Sequence, residues 1–172
     1  MNGKRLSLAA VMALSLLTLL GLESCSKNNS SSYQTDGTLT ATVNGSAYSA
    51  KSYVVAALVT TLTPQIIVEG DSITNSDTTR IQVAVPSNFP VNQATSVDTS
   101  AYAGAVGLSY YRRGVTYVAY AGNYDSHGDI TLSSLDTVSH HIAGTFSGVL
   151  YAAASDSVVV TNGAFNSSYQ VP

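Results

Sequence analysis

The chain has 172 residues, a formal net charge of −3, one cysteine, eleven tyrosines and no tryptophan, and only 10% of its residues are charged. A weakly acidic, sparsely charged chain lacks the electrostatic footprint of a nucleic-acid binder, and a lone cysteine excludes both a disulfide framework and Cys-based zinc sites. The length is one domain's worth, enough to bury a core without covalent staples.

Lys4 and Arg5 precede Leu6 to Leu22, a stretch without charge, and Glu23-Ser24-Cys25 closes the segment. This is the layout of a secretory signal, with a basic start, an apolar middle and a small residue at the cleavage point. Leu22-Glu23-Ser24-Cys25 resembles the lipobox of bacterial lipoproteins, with Leu three residues before the cysteine and a small residue just before it. Glu23 departs from the usual small or apolar residue. The resemblance implies that residues 1–24 form a signal-peptide helix that is removed; the alternatives are an uncleaved membrane anchor, at the short edge of a spanning helix, and an ordinary secretory signal with a coincidental cysteine. The thiol of Cys25 then becomes a thioether to diacylglycerol, with palmitate-like chains. Each buried methylene contributes roughly 0.8 kcal/mol, so two or three chains hold a protein at a bilayer, here the membrane partner of the chain. Ser26, not Asp, follows the cysteine. That resembles the pattern sorted to the outer membrane, so the expected location is the cell envelope with a lipid anchor.

Residues 25–37 are the lipidated cysteine and a polar, Ser- and Asn-rich run read as a disordered tether,. Its reach is roughly 20 Å. From Thr38 the period is two. Leu39, Ala41 and Val43 share one face, and Asn44-Gly45 is a strong hairpin signal before a return strand at Ala47-Tyr48. Tyr53 to Thr61 mixes alanines that tolerate a helix with β-branched residues that favour a strand, and is read as a strand. Gln65 to Glu69 is a short strand. Arg80 to Val85 alternates and stops at Pro86, and Ser87 to Ser100 reads mainly as loop. Ala105 to Tyr111 and Val115 to Ala121 form a hairpin turning at Arg112-Arg113-Gly114. Asp129 to Ser133 alternates with Ile130 and Leu132 inward. Ile142, Gly144, Phe146, Gly148 and Leu150 line one face of a long strand whose glycines predict a bulge or close packing. Val158 to Phe165 completes the sheet. The expected fold is all-β, over 38–169: an antiparallel β-sandwich of about eight to ten strands, or alternatively a partly open β-barrel.

Two groups of residues carry a family resemblance. Leu39 to Ala50 is one, with its Asn-Gly hairpin. The other comprises Gly128-Asp-Ile-Thr-Leu, Asp136, Ile142-Ala-Gly-Thr-Phe146 and Val160-Thr-Asn-Gly-Ala-Phe165. Together they resemble a family of small uncharacterised Bacteroidetes lipoproteins with a β-sandwich-like domain. Tyr48 stands where that family often has Trp or Phe. The resemblance implies fold and location, and it implies no catalytic residue, because the family has no agreed activity.

Chemistry-bearing patterns are sparse. Asp125-Ser-His127-Gly-Asp129 puts two carboxylates and an imidazole within a short run, which admits a metal site and, through it, a metal-dependent hydrolase. A polar turn between strands accounts for the same residues, and no metal or cofactor is expected. His140 and His141 are neighbours and so point to opposite faces of a strand. No G-x-S-x-G occurs; Gly144-Thr-Phe-Ser-Gly148 is one spacing off and lies in a core strand. Glu69 is the only glutamate after residue 24, and no phosphate loop or dinucleotide glycine pattern is present. The densest aromatic and basic cluster is Tyr110-Tyr111-Arg112-Arg113 with Tyr117, Tyr120 and Tyr124. Tyrosine with arginine stacks on sugars or binds acidic peptides; a soluble hairpin tip with cross-strand tyrosine pairs explains it as well. Asp71-Ser72-Ile, Asp77-Thr78-Thr, Asp136-Thr137-Val and Asp156-Ser157-Val resemble an Asp-Ser/Thr-apolar O-glycosylation signal, which turn chemistry also produces. The functional expectation is a non-enzymatic, lipid-anchored envelope protein that binds or scaffolds, with a glycan or another envelope protein as partner. The alternative is a glycan- or peptide-binding lipoprotein that uses Tyr110 to Tyr124.

Overall fold

The computed structural model describes residues 34–35, 37–50, 53–59, 64–74, 77–97, 105–120 and 123–171. The segments read as signal peptide, lipidated Cys25 and tether lie outside the described residues up to residue 33.

Twelve strands are present among the described residues: β1 Gln34–Thr35, β2 Thr38–Val43, β3 Ser46–Ser49, β4 Tyr53–Val59, β5 Gln65–Thr74, β6 Asp77–Pro86, β7 Thr95–Ser96, β8 Gly107–Arg112, β9 Val115–Ala119, β10 His127–Asp136, β11 His141–Ala153 and β12 Asp156–Ser168. Every strand pair is antiparallel. The alternation read at Thr38–Val43 becomes a burial alternation in β2. Two tight turns are set by local chemistry. Asn44 (φ 47°) with Gly45 (φ 78°), and Arg113 (φ 49°) with Gly114 (φ 80°), each place two left-handed residues between paired strands. That backbone matches the right-handed twist of a two-residue hairpin.

Strand order divides the sheet into two halves. One runs β1-β4-β5-β6-β8-β9; the other runs β3-β2-β12-β11 and continues through β10 to β7. A single register pair, Val118 with Tyr151, joins β9 to β11. The Asn123 side chain sits in this fork and donates to the main-chain oxygens of Val118 (2.8 Å) and Tyr151 (3.4 Å). The opposite seam lies where β2 and β3 approach β5. There a Cβ at Gly70 would stand 2.8 Å from Ala50 Cβ and 3.1 Å from Leu39 Cβ. Tyr48 reaches across from β3, and its hydroxyl donates to the Gly70 carbonyl. The all-β antiparallel expectation holds. The continuous sheet makes the domain a nearly closed barrel, the second of the two architectures expected, with sandwich-like halves joined along one side.

Both halves fill one core. Leu39, Ile66, Ile81, Leu108, Ile130, Leu132, Ile142 and Leu150 are all fully buried in it. Phe89 and Val97, from the connection between β6 and β8, belong to the same cluster. That connection, mainly loop as its sequence predicts, contributes the two-residue β7, which pairs with β10. The strands β5, β6, β10, β11 and β12 are also longer than their apolar runs. Their polar ends, such as Asp77 to Thr79, are recruited by register pairing with Arg112 and Ser72 to Thr74.

Two glycines separate the packing effects. At Gly163 a Cβ would meet the Phe146 ring and main-chain oxygen at 2.5 Å. At Gly107 the nearest atom would be 3.9 Å away. Gly163→Ala is therefore expected to destabilise the domain by about 1–3 kcal/mol, the usual cost of overpacking, with Gly107→Ala within about 1 kcal/mol of the parent. Urea denaturation checks the pair; equal midpoints for the two variants would contradict this packing.

Candidate functional site

The residues that cluster in sequence around Tyr110 are distributed over two faces. Alternation in β8 sends Tyr110 inward, where it is 5% exposed, and Tyr111 outward. Tyr110 lies against Tyr117 across β8 and β9, with ring centroids 6.1 Å apart. Burial raises the pKa of Tyr110. Desolvation and the adjacent Asp156 raise that of Tyr117, whose hydroxyl is 3.3 Å from Asp156 Oδ2. Arg113 is held at the turn by Asp77 (Nε–Oδ2 2.8 Å). Arg112 is exposed, and among the described residues it is the cationic side chain with no ion pair. Tyr124 stands in the connection between β9 and β10, is 59% exposed, and packs its ring 6.0 Å from that of Tyr151. Tyr110, Tyr117 and Arg112 share one side of the hairpin, Tyr111 takes the other, and Tyr124 belongs to a different aromatic pair.

The remaining chemical groups are also dispersed. His127 Nδ1 is 2.9 Å from the main-chain oxygen of Asp125, not from its carboxylate. Among the described residues no group of three metal-capable side chains comes together, so Asp125, His127 and Asp129 do not converge. His140 (φ 53°) packs against Tyr169 in a tilted ring contact with centroids 5.4 Å apart, and His141 Nε2 is 2.9 Å from Asn166 Oδ1. Asp136 organises the turn before them: its Oδ1 accepts from the amides of Val138 (2.8 Å) and Ser139 (3.0 Å). Hydrogen bonds from the Ser139 side chain and from these two amides hold its carboxyl down at about 2. Of the glycosylation-like triplets, Asp71-Ser72-Ile73 lies within paired β5 with Asp71 buried, and Asp77-Thr78 begins β6. Thr137 sits at an exposed turn beside Val138, which is 90% exposed, and Ser157 is exposed at the start of β12.

A polar ladder on the outer side of β5 and β6 had no counterpart in the sequence reading. Asp71 faces Arg80 in register, and Glu69 faces Gln82. Arg80 grips Asp71 with two bonds, Nε–Oδ1 at 2.7 Å and Nη2–Oδ2 at 3.0 Å, and its Nε is 3.2 Å from Glu69 Oε1. Gln82 donates to Glu69 Oε2 at 3.1 Å. Asp71 is only 2% exposed and Arg80 is half-buried, so the carboxylate end of this ion pair is withdrawn from solvent,. Tyr48 lies nearby; burial first, and then the Asp71 charge, raise its pKa. The available signal was the spacing Glu69-x-Asp71 against Arg80-x-Gln82, which becomes informative only once the β5–β6 register is known. Comparison with models of protein families, with curated proteins and with solved structures finds no match.

Two outcomes follow from this geometry. Asp71→Asn removes the buried carboxylate that the half-buried Arg80 grips with two bonds and is expected to cost about 3 kcal/mol, read by chemical denaturation; a loss below about 1 kcal/mol would show the pair to be solvated. Asp136 has a folded pKa below its ordinary value of 3.8. Its contribution to stability is therefore complete above about pH 4 and is lost as pH falls towards 2. NMR titration is expected to place its midpoint near 2, and Ser139→Ala to move it upward; an unmoved midpoint would assign the shift elsewhere.

Proposed function

We propose that the chain is a lipid-anchored cell-envelope protein, held by Cys25 at the outer membrane, whose β domain is a non-catalytic binding or scaffolding module. The carrying observation is the run from Lys4 through the uncharged Leu6–Leu22 to Leu22-Glu23-Ser24-Cys25. A binding role rather than a catalytic one is supported by the dispersal of the chemical groups. Each histidine is engaged with a neighbouring carbonyl, ring or amide. A glycan- or peptide-binding reading is favoured by one specific feature of the Tyr110–Tyr124 region, the exposed Tyr124 ring beside the half-buried Tyr151. Of the four glycosylation candidates, Thr137 and Ser157 are the exposed ones, and we assign modification to one or both.

Palmitate labelling of the full chain in a Gram-negative host tests the anchor. Incorporation into the parent and its loss in Cys25→Ser, with release of the variant from the membrane fraction, is the expected result. Unlabelled parent protein with unchanged fractionation of the variant would refute it. Intact mass of the same material reports any attached sugar.

A further inference from the structure

The outer face of the β3-β2-β12-β11-β10 half has an unusual chemical character. Register pairing lines up Ser49, Thr40, Ala164, Thr145 and Thr131 as one row across five strands. Ser49, Thr40, Ala164 and Thr145 are exposed and Thr131 is half-buried. The next row toward the β2–β3 turn runs Ala47, Thr42 and Thr161, and passes across the β12 bulge to Ser147 and Asp129. Asp129 carries the only charge in these two rows. Rows on adjacent strands are about 4.8 Å apart, and successive outward residues along a strand about 6.8 Å apart. Farther along β11 and β12, Val149 opposite Val159 leads to Tyr151 opposite Ser157. Tyr124 completes that end with its exposed ring.

Strand propensity favours Thr on such a surface, but it does not exclude Lys, Arg and Glu, which soluble proteins intersperse there. The end strand β3 also lacks the charges that normally protect a sheet edge,. With Asp129 as the only charge in these rows, the face offers nothing to an anionic partner. Each hydroxyl both donates and accepts a hydrogen bond, the short side chains lose little rotamer entropy on binding, and the tyrosine pair supplies a stacking platform at one end. We propose that this face binds an uncharged polysaccharide, lying along the hydroxyl rows with one sugar against Tyr124 and Tyr151. This assignment rests on the binding-module reading and places the ligand away from Tyr110, Tyr111 and Arg112.

Affinity electrophoresis of the full chain in detergent, through gels containing amylose, dextran or a β-1,3-glucan and, as an anionic control, polygalacturonate, tests the proposal. At least one neutral polymer is expected to retard the protein, and polygalacturonate none. Thr145→Lys and Tyr124→Ala should each weaken retardation at least tenfold, with Arg112→Ala without effect. Tyr124 is a connection residue, so its variant keeps the test valid should the strand variant misfold. Retardation by polygalacturonate alone, by no neutral polymer, or equally in Tyr124→Ala and the parent would overturn it. Neutral-polymer binding abolished by Arg112→Ala but intact in Tyr124→Ala would move the site to the hairpin tip while leaving the binding-module reading standing. Failure of palmitate labelling bears on the anchor alone.

Discussion

Gly70 lets the sheet close. Without a side chain there, Leu39 and Ala50 approach the β5 backbone, and the Tyr48 hydroxyl reaches the Gly70 carbonyl from the same direction. On the far side the closure is thinner, since one register pair joins β9 to β11 and Asn123 extends it with its side-chain amide. Between these seams the inward residues of both halves form one core. The arrangement is cooperative because neither half buries its apolar face alone. Widening the Gly70 seam exposes Leu39, Ile66 and Val68 together, and each fully buried aliphatic contributes roughly 1.5–3 kcal/mol.

Much of the fold was legible where chemistry is local. The alternation at Thr38–Val43 predicts which side is buried, and Asn44-Gly45 predicts the turn, because both depend on residues adjacent in the chain. Asn44 adds a detail beyond local reading. Its amide donates to the Val159 carbonyl and its side-chain oxygen accepts from the Val159 amide, continuing the ladder past the end of β2. Strand ends were underestimated because polar residues such as Asp77 and Thr78 join a strand through their partners, not through their own hydrophobicity. The Asp71–Arg80 ladder and the Tyr124–Tyr151 pair were hidden for a related reason: each joins segments whose register is set by the whole sheet. The Tyr110–Tyr111 dipeptide is the reverse case. Adjacent strand residues point to opposite faces, so a cluster dense in sequence divides in space.

Charge is partitioned in the same way. Arg80 is spent inside the ladder, Arg113 is pinned at the hairpin turn by Asp77, and Asp136 organises the turn before β11. These commitments place the ion-paired groups in one half and at the turns, with Asp129 the exception in β10. They leave the outer row from Ser49 to Thr131 to small neutral side chains.

Anchor and face then bear on each other energetically. A single hydroxyl contact contributes only about 0.5–1.5 kcal/mol net, so rows of threonine make a weak site in a freely diffusing protein. Acyl chains at Cys25 would hold many copies in one bilayer plane. A repeating polymer could then engage several of these faces at once, turning later contacts into effectively intramolecular ones and raising avidity by orders of magnitude without new chemistry. On that reading the scarcity of charge is compatible with retention at a membrane, because strength comes from the number of faces engaged and selectivity from the exclusion of ionic ligands.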